Sequence, residues 1–291
     1  MHETSNHLLS VEGLSVEFDA GKPTAHRALD GVSLSIGEGE ILGLVGESGS
    51  GKTVLSHSIL GLLPANGRIT SGRIFWKGRE LQSLSEKELR PIRGKEIAMI
   101  FQDPQASLNP VYPVGRQIEW VLKQHRGIVG TEAKAEVLRL FESVKLRDPE
   151  RCAVAYPHEL SGGMAQRASI AQMLACEPDL LIADEPTSAL DVTTQVEILA
   201  LLREVKQTFT MSLLFISHDI RAVSALCSKV VVMRSGAIVE SGIASSVFEN
   251  PTHSYTKLLM ESAGLPSGRQ AQTALGPDSE SIRRTERLTI N

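Results

Sequence analysis

Cysteine is scarce in this 291-residue chain: Cys152, Cys176 and Cys227 are the only three, and they lie far apart. That spacing fits neither a disulfide framework nor a zinc site, so each reads as a small apolar filler in a reducing compartment. Aromatic residues make up 4% of the chain, which makes the core aliphatic. Neither sign of charge dominates: 30 Lys and Arg against 34 Asp and Glu leave a net charge of −4. No global basic field therefore points to nucleic acid, and no nucleic-acid partner is expected. No apolar run approaches the roughly 20 residues that cross a bilayer. The start, "MHETSNHLLSVEG", lacks the basic and apolar regions of a secretory signal. What is present is ordinary for a globular protein, with 42% hydrophobic and 22% charged residues. The length suits one large α/β domain or two small ones.

Hydrophobic periodicity divides the chain. "LLSVEGLSVEF" alternates as strands do, and residues 69–81 look like short strands around a turn. "GEILGLVG", "KEIAMIFQ", "PDLLIADEP" and "SLLFISHD" are short apolar runs typical of buried strands. "KVVVMRSGAIVESG" also reads as strand. Residues 113–146 change character: "VGRQIEWVLKQHRG" and "TEAKAEVLRLFESVKL" carry the i, i+3, i+4 spacing of amphipathic helices. This looks like an all-helical insert between α/β halves. Helical patterns also follow the "GLVG" strand and cover "GGMAQRASIAQMLAC" and "TTQVEILALLREVKQTF". Strands alternating with helices argue for a mainly parallel sheet covered on both faces. Residues 264–291 are polar and aperiodic, and read as a loose tail.

"GESGSGKT", Gly46 to Thr53, matches G-x-x-x-x-G-K-[ST] in full, after a strand and before a helix. Glycines let successive backbone N–H groups converge on phosphate oxygens, and the helix N-terminus adds positive potential. Lys52 reaches the β- and γ-phosphates, and the Thr53 hydroxyl suits Mg²⁺. A dinucleotide loop is a poor reading, because Val54 stands where the third glycine would be.

"LLIADEP" ends its strand in Asp184 and Glu185. A carboxylate at that end of a parallel strand lies where ligands bind. Asp184 suits Mg²⁺, through water, and Glu185 suits polarising an attacking water. Taken alone, the pair could equally be two surface acids. Gln102 closes "IAMIFQ", where an amide can contact both metal and water; alone it is a polar strand end. His218 follows "LLFIS", within reach of a γ-phosphate; alone it is a surface turn residue. Phe18 ends the first strand pattern and can stack on a purine, or serve as ordinary core.

"ELSGGMAQR" poses a puzzle. Ser161 is a good helix N-cap, yet two glycines follow it, each costing roughly 1 kcal/mol relative to Ala inside a helix.

In this order, the motifs resemble those of the ATP-binding subunits of ABC transporters, over roughly residues 8–262. The resemblance implies a P-loop ABC ATPase fold: a RecA-like parallel sheet core, an antiparallel β subdomain, and an all-helical signature subdomain at about 103–175. Residues 263–291 would be a poorly ordered tail. It assigns Phe18 to adenine stacking and Gly46, Glu47, Ser48, Gly49, Ser50, Gly51, Lys52 and Thr53 to Walker A. Gln102 becomes the Q-loop, Asp184 and Glu185 the Walker B acids, and His218 the switch histidine. Leu160, Ser161, Gly162, Gly163 and Met164 become the signature, and Ser188, Ala189, Leu190 and Asp191 the D-loop. The implied catalytic set is Lys52, Gln102, Glu185 and His218, with Thr53, Gln102 and Asp184 toward the metal. The cofactors implied are ATP and Mg²⁺.

"VGESGSGKT", "MIFQDPQASLNPVYPVGRQI", "ADEPTSALDVTTQ" and "NPTHSYTKLLM" are similar to the oligopeptide/dipeptide/nickel importer branch. The branch usually has Pro where this chain has Ser254, and Met164 resembles its D-type subunit. The resemblance implies a head-to-tail ATPase pair with an F-type subunit or with a second copy. It further implies two membrane permease subunits, an extracytoplasmic solute-binding protein, and a peripheral place on the cytoplasmic face of the inner membrane. The glycines of the signature would then let a helix N-terminus approach the partner's ATP. Many members carry a cysteine-rich C-terminal iron–sulfur segment; no cysteine follows Cys227 here, so no cluster is expected. The competing reading is a soluble, non-transport ABC ATPase, such as an accessory in phosphonate breakdown.

Overall fold

The computed structural model describes residues 7–103 and 107–265. Among the described residues, ten strands form two sheets. The first is antiparallel, in the order β2 (His26–Gly37), β1 (His7–Phe18), β4 (Gly67–Trp76), β5 (Arg79–Glu80). "LLSVEGLSVEF" is one bulged strand within β1. Leu9 and Val11 face inward, the pairing register shifts between Val11 and Leu14, and the inward set resumes at Leu14 and Val16. Gly13, at φ +56°, takes the left-handed conformation that the bulge needs. Strand β2 had no counterpart in the sequence reading. Only its second half, Val32, Leu34 and Ile36, alternates inward.

The second sheet runs β10 (Ala237–Ile243), β9 (Lys229–Arg234), β3 (Ile41–Val45), β8 (Ser212–Ser217), β7 (Leu180–Asp184), β6 (Ile97–Ile100). All neighbours are parallel except β10, which returns along β9 as an antiparallel hairpin. Its central strands are buried on both faces, so their sequences are continuously apolar rather than alternating. One face, with Leu180, Ile182, Leu214 and Ile216, packs toward the antiparallel sheet's Leu9, Val11 and Leu14. The other, with Leu181, Ala183, Leu213 and Phe215, shares a core with the helical region.

The pattern over 113–146 folds as two helices, Val114–Arg126 and Gly130–Ser143. Gly127, left-handed at φ +71°, closes the first. A short helix, Pro149–Val154, follows; its periodicity was too brief to read, but Asp148 caps it by accepting the Arg151 N–H, and Pro149 opens it. The helix Gly162–Leu174 then returns to the sheet, and Ala165, Ala168 and Ala171 are buried against it.

The three cysteines are buried. Burial pushes the Cys176 thiol up to about 11 and the Cys227 thiol up to about 12, in keeping with their reading as apolar filler. Among the described residues, no helix is long and apolar enough to cross a membrane. The loose tail expected for 263–291 lies, beyond Leu265, outside the described residues.

Candidate active site

Parallel register sets the site. Val45 pairs with Ser217, and Asp184 with Ile216, so β3, β7 and β8 end level at one edge of the sheet. From that edge come the loop Gly46–Gly51, the acids Asp184 and Glu185, and His218.

The loop folds tightly against the rest of the chain. A Cβ on Gly46 would lie 2.2 Å from the Met233 carbonyl oxygen, so only glycine fits there. Gly51 sits at φ +103°, immediately before the helix Lys52–Ile59. The Lys52 side chain is buried and turns back into the loop, donating to the carbonyls of Gly46 at 2.8 Å and Glu47 at 2.9 Å. Burial lowers its pKa, against the opposing charges of Glu185 and Asp184. Beside the loop is a cleft of about 360 Å³, lined among others by Phe18, Ser48, Lys52, Thr53, Gln102 and Glu185. Phe18 is thus both cleft wall and packing residue, since its ring lies against Gly67.

Glu185 is the hub. It holds a left-handed backbone at φ +48°, rare for a residue with a side chain. Its N–H donates to the Ile216 carbonyl at 2.9 Å, and its own carbonyl accepts the Ser188 N–H and hydroxyl. This turn aims the carboxylate into the cleft. His218 Nδ1 lies 3.1 Å from Oε2, Gln102 Nε2 is 3.5 Å from the same oxygen, and Lys52 Nζ is 3.9 Å from Oε1. Gln102 does this from beyond its strand: β6 ends at Ile100, and the amide is carried by the segment that follows.

Asp184 is buried, and burial raises its pKa, with the Thr53 hydroxyl bond pulling the other way. Among the described residues, its Oδ1 has no hydrogen-bond partner. A buried carboxylate oxygen left open, with a hydroxyl and an amide nearby, is the donor set of an oxygen-ligating divalent cation. The residues therefore fit Mg²⁺. His57 was not anticipated. It lies one turn beyond Thr53 on the same helix, lowers the Asp184 pKa by its charge, and shares a second cleft with Asp184, Phe101 and Asp103. Its i,i+4 spacing from Thr53 is the signal that could have found it.

Residues 160–164, expected to form the signature, do not line the cleft beside the Gly46–Gly51 loop. Ser161 caps its helix by accepting the Met164 N–H at 3.3 Å, as its residue type suggested. Leu160 is buried, and Met164 packs on the core. Gly162 has room, since the nearest atom to a Cβ there would be Leu190 Cδ2 at 3.6 Å. Gly163 does not: Thr194 Cγ2 would be 2.8 Å away. The second glycine thus has a reason inside its own chain, which the sequence reading missed along with Thr194. Asp191 accepts the Thr194 N–H at 3.0 Å and its hydroxyl at 2.7 Å, capping the helix Val192–Thr208. Ser188 and Ala189 are exposed at the turn between Glu185 and that cap.

The ABC transporter family profile matches residues 29–188. The chain belongs to the ABC transporter family. Its cassette is an ATPase. The chain is 46% identical, over 93% of its length and 80% of the relative's, to a probable peptide ABC transporter ATP-binding protein, y4tR, of Sinorhizobium fredii. It is 47% identical to the dipeptide transport ATP-binding protein DppD of Escherichia coli, over 87% of this chain and 77% of that one. The ABC cassette MJ0796, solved as a dimer in a post-hydrolysis state with ADP and Pi, superposes with a TM-score of 0.72 at 27% identity. That match covers 81% of this chain and 98% of MJ0796.

Proposed function

We propose that this ABC cassette energises import of peptides or related small solutes, as one half of a head-to-tail ATPase pair. The observation that carries this reading is the convergence of His218, Gln102 and Lys52 on the Glu185 carboxylate at the wall of the phosphate-loop cleft. The ATPase domain spans 8–262, with its helical subdomain at about 103–175.

The loop amides of 46–53 and the Lys52 ammonium hold the phosphates, and Phe18 stacks on the base. To reach a phosphate, Lys52 leaves the Gly46 and Glu47 carbonyls that hold it now. Glu185 takes the proton of the attacking water as its oxygen bonds to the γ-phosphorus; the bond to the bridging oxygen breaks and ADP departs. Gln102 and His218 orient that water and the carboxylate. Thr53, Gln102 and Asp184 would hold Mg²⁺, which would supply charge neutralisation on the phosphate oxygens.

The partner supplies the other wall. Leu160–Met164 of one chain close over the ATP of the other, in keeping with their absence from the lining of their own cleft. The second ATPase is an F-type relative or another copy. Two permease subunits carry the solute, an extracytoplasmic protein delivers it, and the chain works peripherally at the cytoplasmic face of the inner membrane. The transport names of y4tR and DppD support import over a soluble accessory role. Detergent extraction of the tagged chain from its host membranes tests this. Recovery with a polytopic permease and ATP-dependent peptide uptake is expected; recovery without any polytopic protein overturns it.

A further inference from the structure

The C-terminal segment "NPTHSYTKLLM" plays no part in the reading above, yet it reaches the phosphate loop. Its turn is built around Glu240 on β10. That carboxylate accepts the Thr252 N–H at 2.8 Å, the Thr252 hydroxyl at 2.8 Å and the His253 N–H at 3.1 Å. His253 Nδ1 then accepts the Tyr255 N–H at 3.1 Å, starting the helix Ser254–Ser262. So fixed, Tyr255 points inward and is 2% exposed, with the Arg234 guanidinium 4.8 Å from its ring centroid.

The Tyr255 hydroxyl accepts the Glu47 N–H at 3.0 Å, across 208 residues of sequence. Glu47 is the pivot of the loop: its carbonyl accepts both Lys52 Nζ at 2.9 Å and the Ser50 N–H at 3.1 Å. On the opposite flank, the Gly236 N–H donates to the Ser50 carbonyl at 3.0 Å. Residues beyond β9 therefore grip the loop at two peptides, on either side of Gly49.

We infer that Tyr255 is a positioning residue for the phosphate loop: by accepting the Glu47 N–H, it keeps that peptide ordered before ATP arrives, and so the C-terminal helix sets nucleotide affinity. This rests on the reading of Gly46–Thr53 as the phosphate site. A loop whose peptides are already ordered loses less freedom on binding than one that must be ordered by its ligand. Without the phenol, the Glu47 N–H loses this acceptor, and its peptide is held only through the bond of the Gly46 carbonyl to Lys52, which ATP binding breaks.

The test uses the full chain and MgATP titrated calorimetrically, with melting and amide exchange of Glu47 measured alongside. Tyr255→Phe keeps the ring and removes only the oxygen. Its Kd for ATP should rise about three- to tenfold, with faster Glu47 exchange and little change in melting. Tyr255→Leu, which also loses the ring, should melt lower but bind ATP no worse than Tyr255→Phe. Unchanged affinity and exchange in Tyr255→Phe, or a loss confined to Tyr255→Leu, overturns the inference. If the Phe variant does not fold, wild-type exchange decides: a Glu47 amide that exchanges as fast as that of Ser48 in nucleotide-free protein also overturns it. Wild-type chain that binds no ATP would instead sink the phosphate-site reading.

Discussion

His218 and Lys52 address opposite oxygens of Glu185, His218 Nδ1 at 3.1 Å from Oε2 and Lys52 Nζ at 3.9 Å from Oε1. The carboxylate is thereby held by one neighbour that can share a proton and one that carries a charge. Glu185→Gln keeps the shape of the side chain but removes its basicity. Steady-state ATP hydrolysis should fall about 10²- to 10⁴-fold while ATP binding is retained. Wild-type-like turnover in that variant would remove Glu185 from the reaction.

Asp184 is expected to show a trade between stability and activity. Its carboxylate is buried, and burial makes the charged form costly. Since its folded pKa is raised, the charge works against folding above that pKa. Asp184→Asn should therefore melt higher than wild type without nucleotide, and lose Mg²⁺-dependent hydrolysis. A lower melting point would contradict the assigned cost of the buried charge.

Gly163 and Thr194 make a matched pair. Gly163→Ala places a methyl 2.8 Å from Thr194 Cγ2, and the Thr194 hydroxyl is tied to Asp191. The clash should cost about 1–3 kcal/mol in urea unfolding. Thr194→Ser deletes the offending methyl and keeps the hydroxyl, so the double variant should recover that loss. It should also keep up to about 1 kcal/mol from the better helix former. Additive losses would show that the two residues are independent.

Gly162→Asp tests the shared site. A Cβ there meets only ordinary contact within the chain, at 3.6 Å from Leu190, so folding and nucleotide binding by the single chain should survive. Hydrolysis by the assembled pair should vanish. Loss of nucleotide binding by the isolated chain would refute a shared site.

Glu96 ties the antiparallel sheet to the parallel one. It accepts the indole N–H of buried Trp76 at 2.7 Å and pairs with Arg79 at 3.2 Å. Burial alone would raise its pKa, but the Trp76 hydrogen bond and the Arg79 and Lys77 charges outweigh that and lower it. With a depressed folded pKa, its contribution is whole above the ordinary carboxylate value of about 4.3 and fades as pH falls further. Glu96→Gln should cost about 1–2 kcal/mol near neutral pH. Its stability should also fall less steeply than wild type below about pH 4. Parallel pH profiles would rule this out.

The parts of the site legible in the sequence were those written in contiguous residues. Gly46–Thr53 carries its own strand, turn and helix, and the run before Asp184 announces a buried strand end. What stayed hidden depends on distant neighbours. Nothing around Glu185 signals a left-handed backbone; that follows from its N–H finding the Ile216 carbonyl on the adjacent strand. Gln102 seemed to end a strand because its run is apolar, but pairing with β7 stops at Ile100. Strand β2 escaped because its first half buries only Leu29 and does not alternate. The two glycines of the signature are identical in sequence and differ in constraint, because Thr194 sits beside only one of them.

That residues 160–164 do not line the cleft beside their own chain's Gly46–Gly51 loop also has a consequence for dilution. If each nucleotide needs a wall from a second chain, hydrolysis per chain in membrane-free preparations of this protein should climb with protein concentration and fade on dilution, by mass action. A permease that holds two cassettes side by side then acts on the rate simply by setting their local concentration.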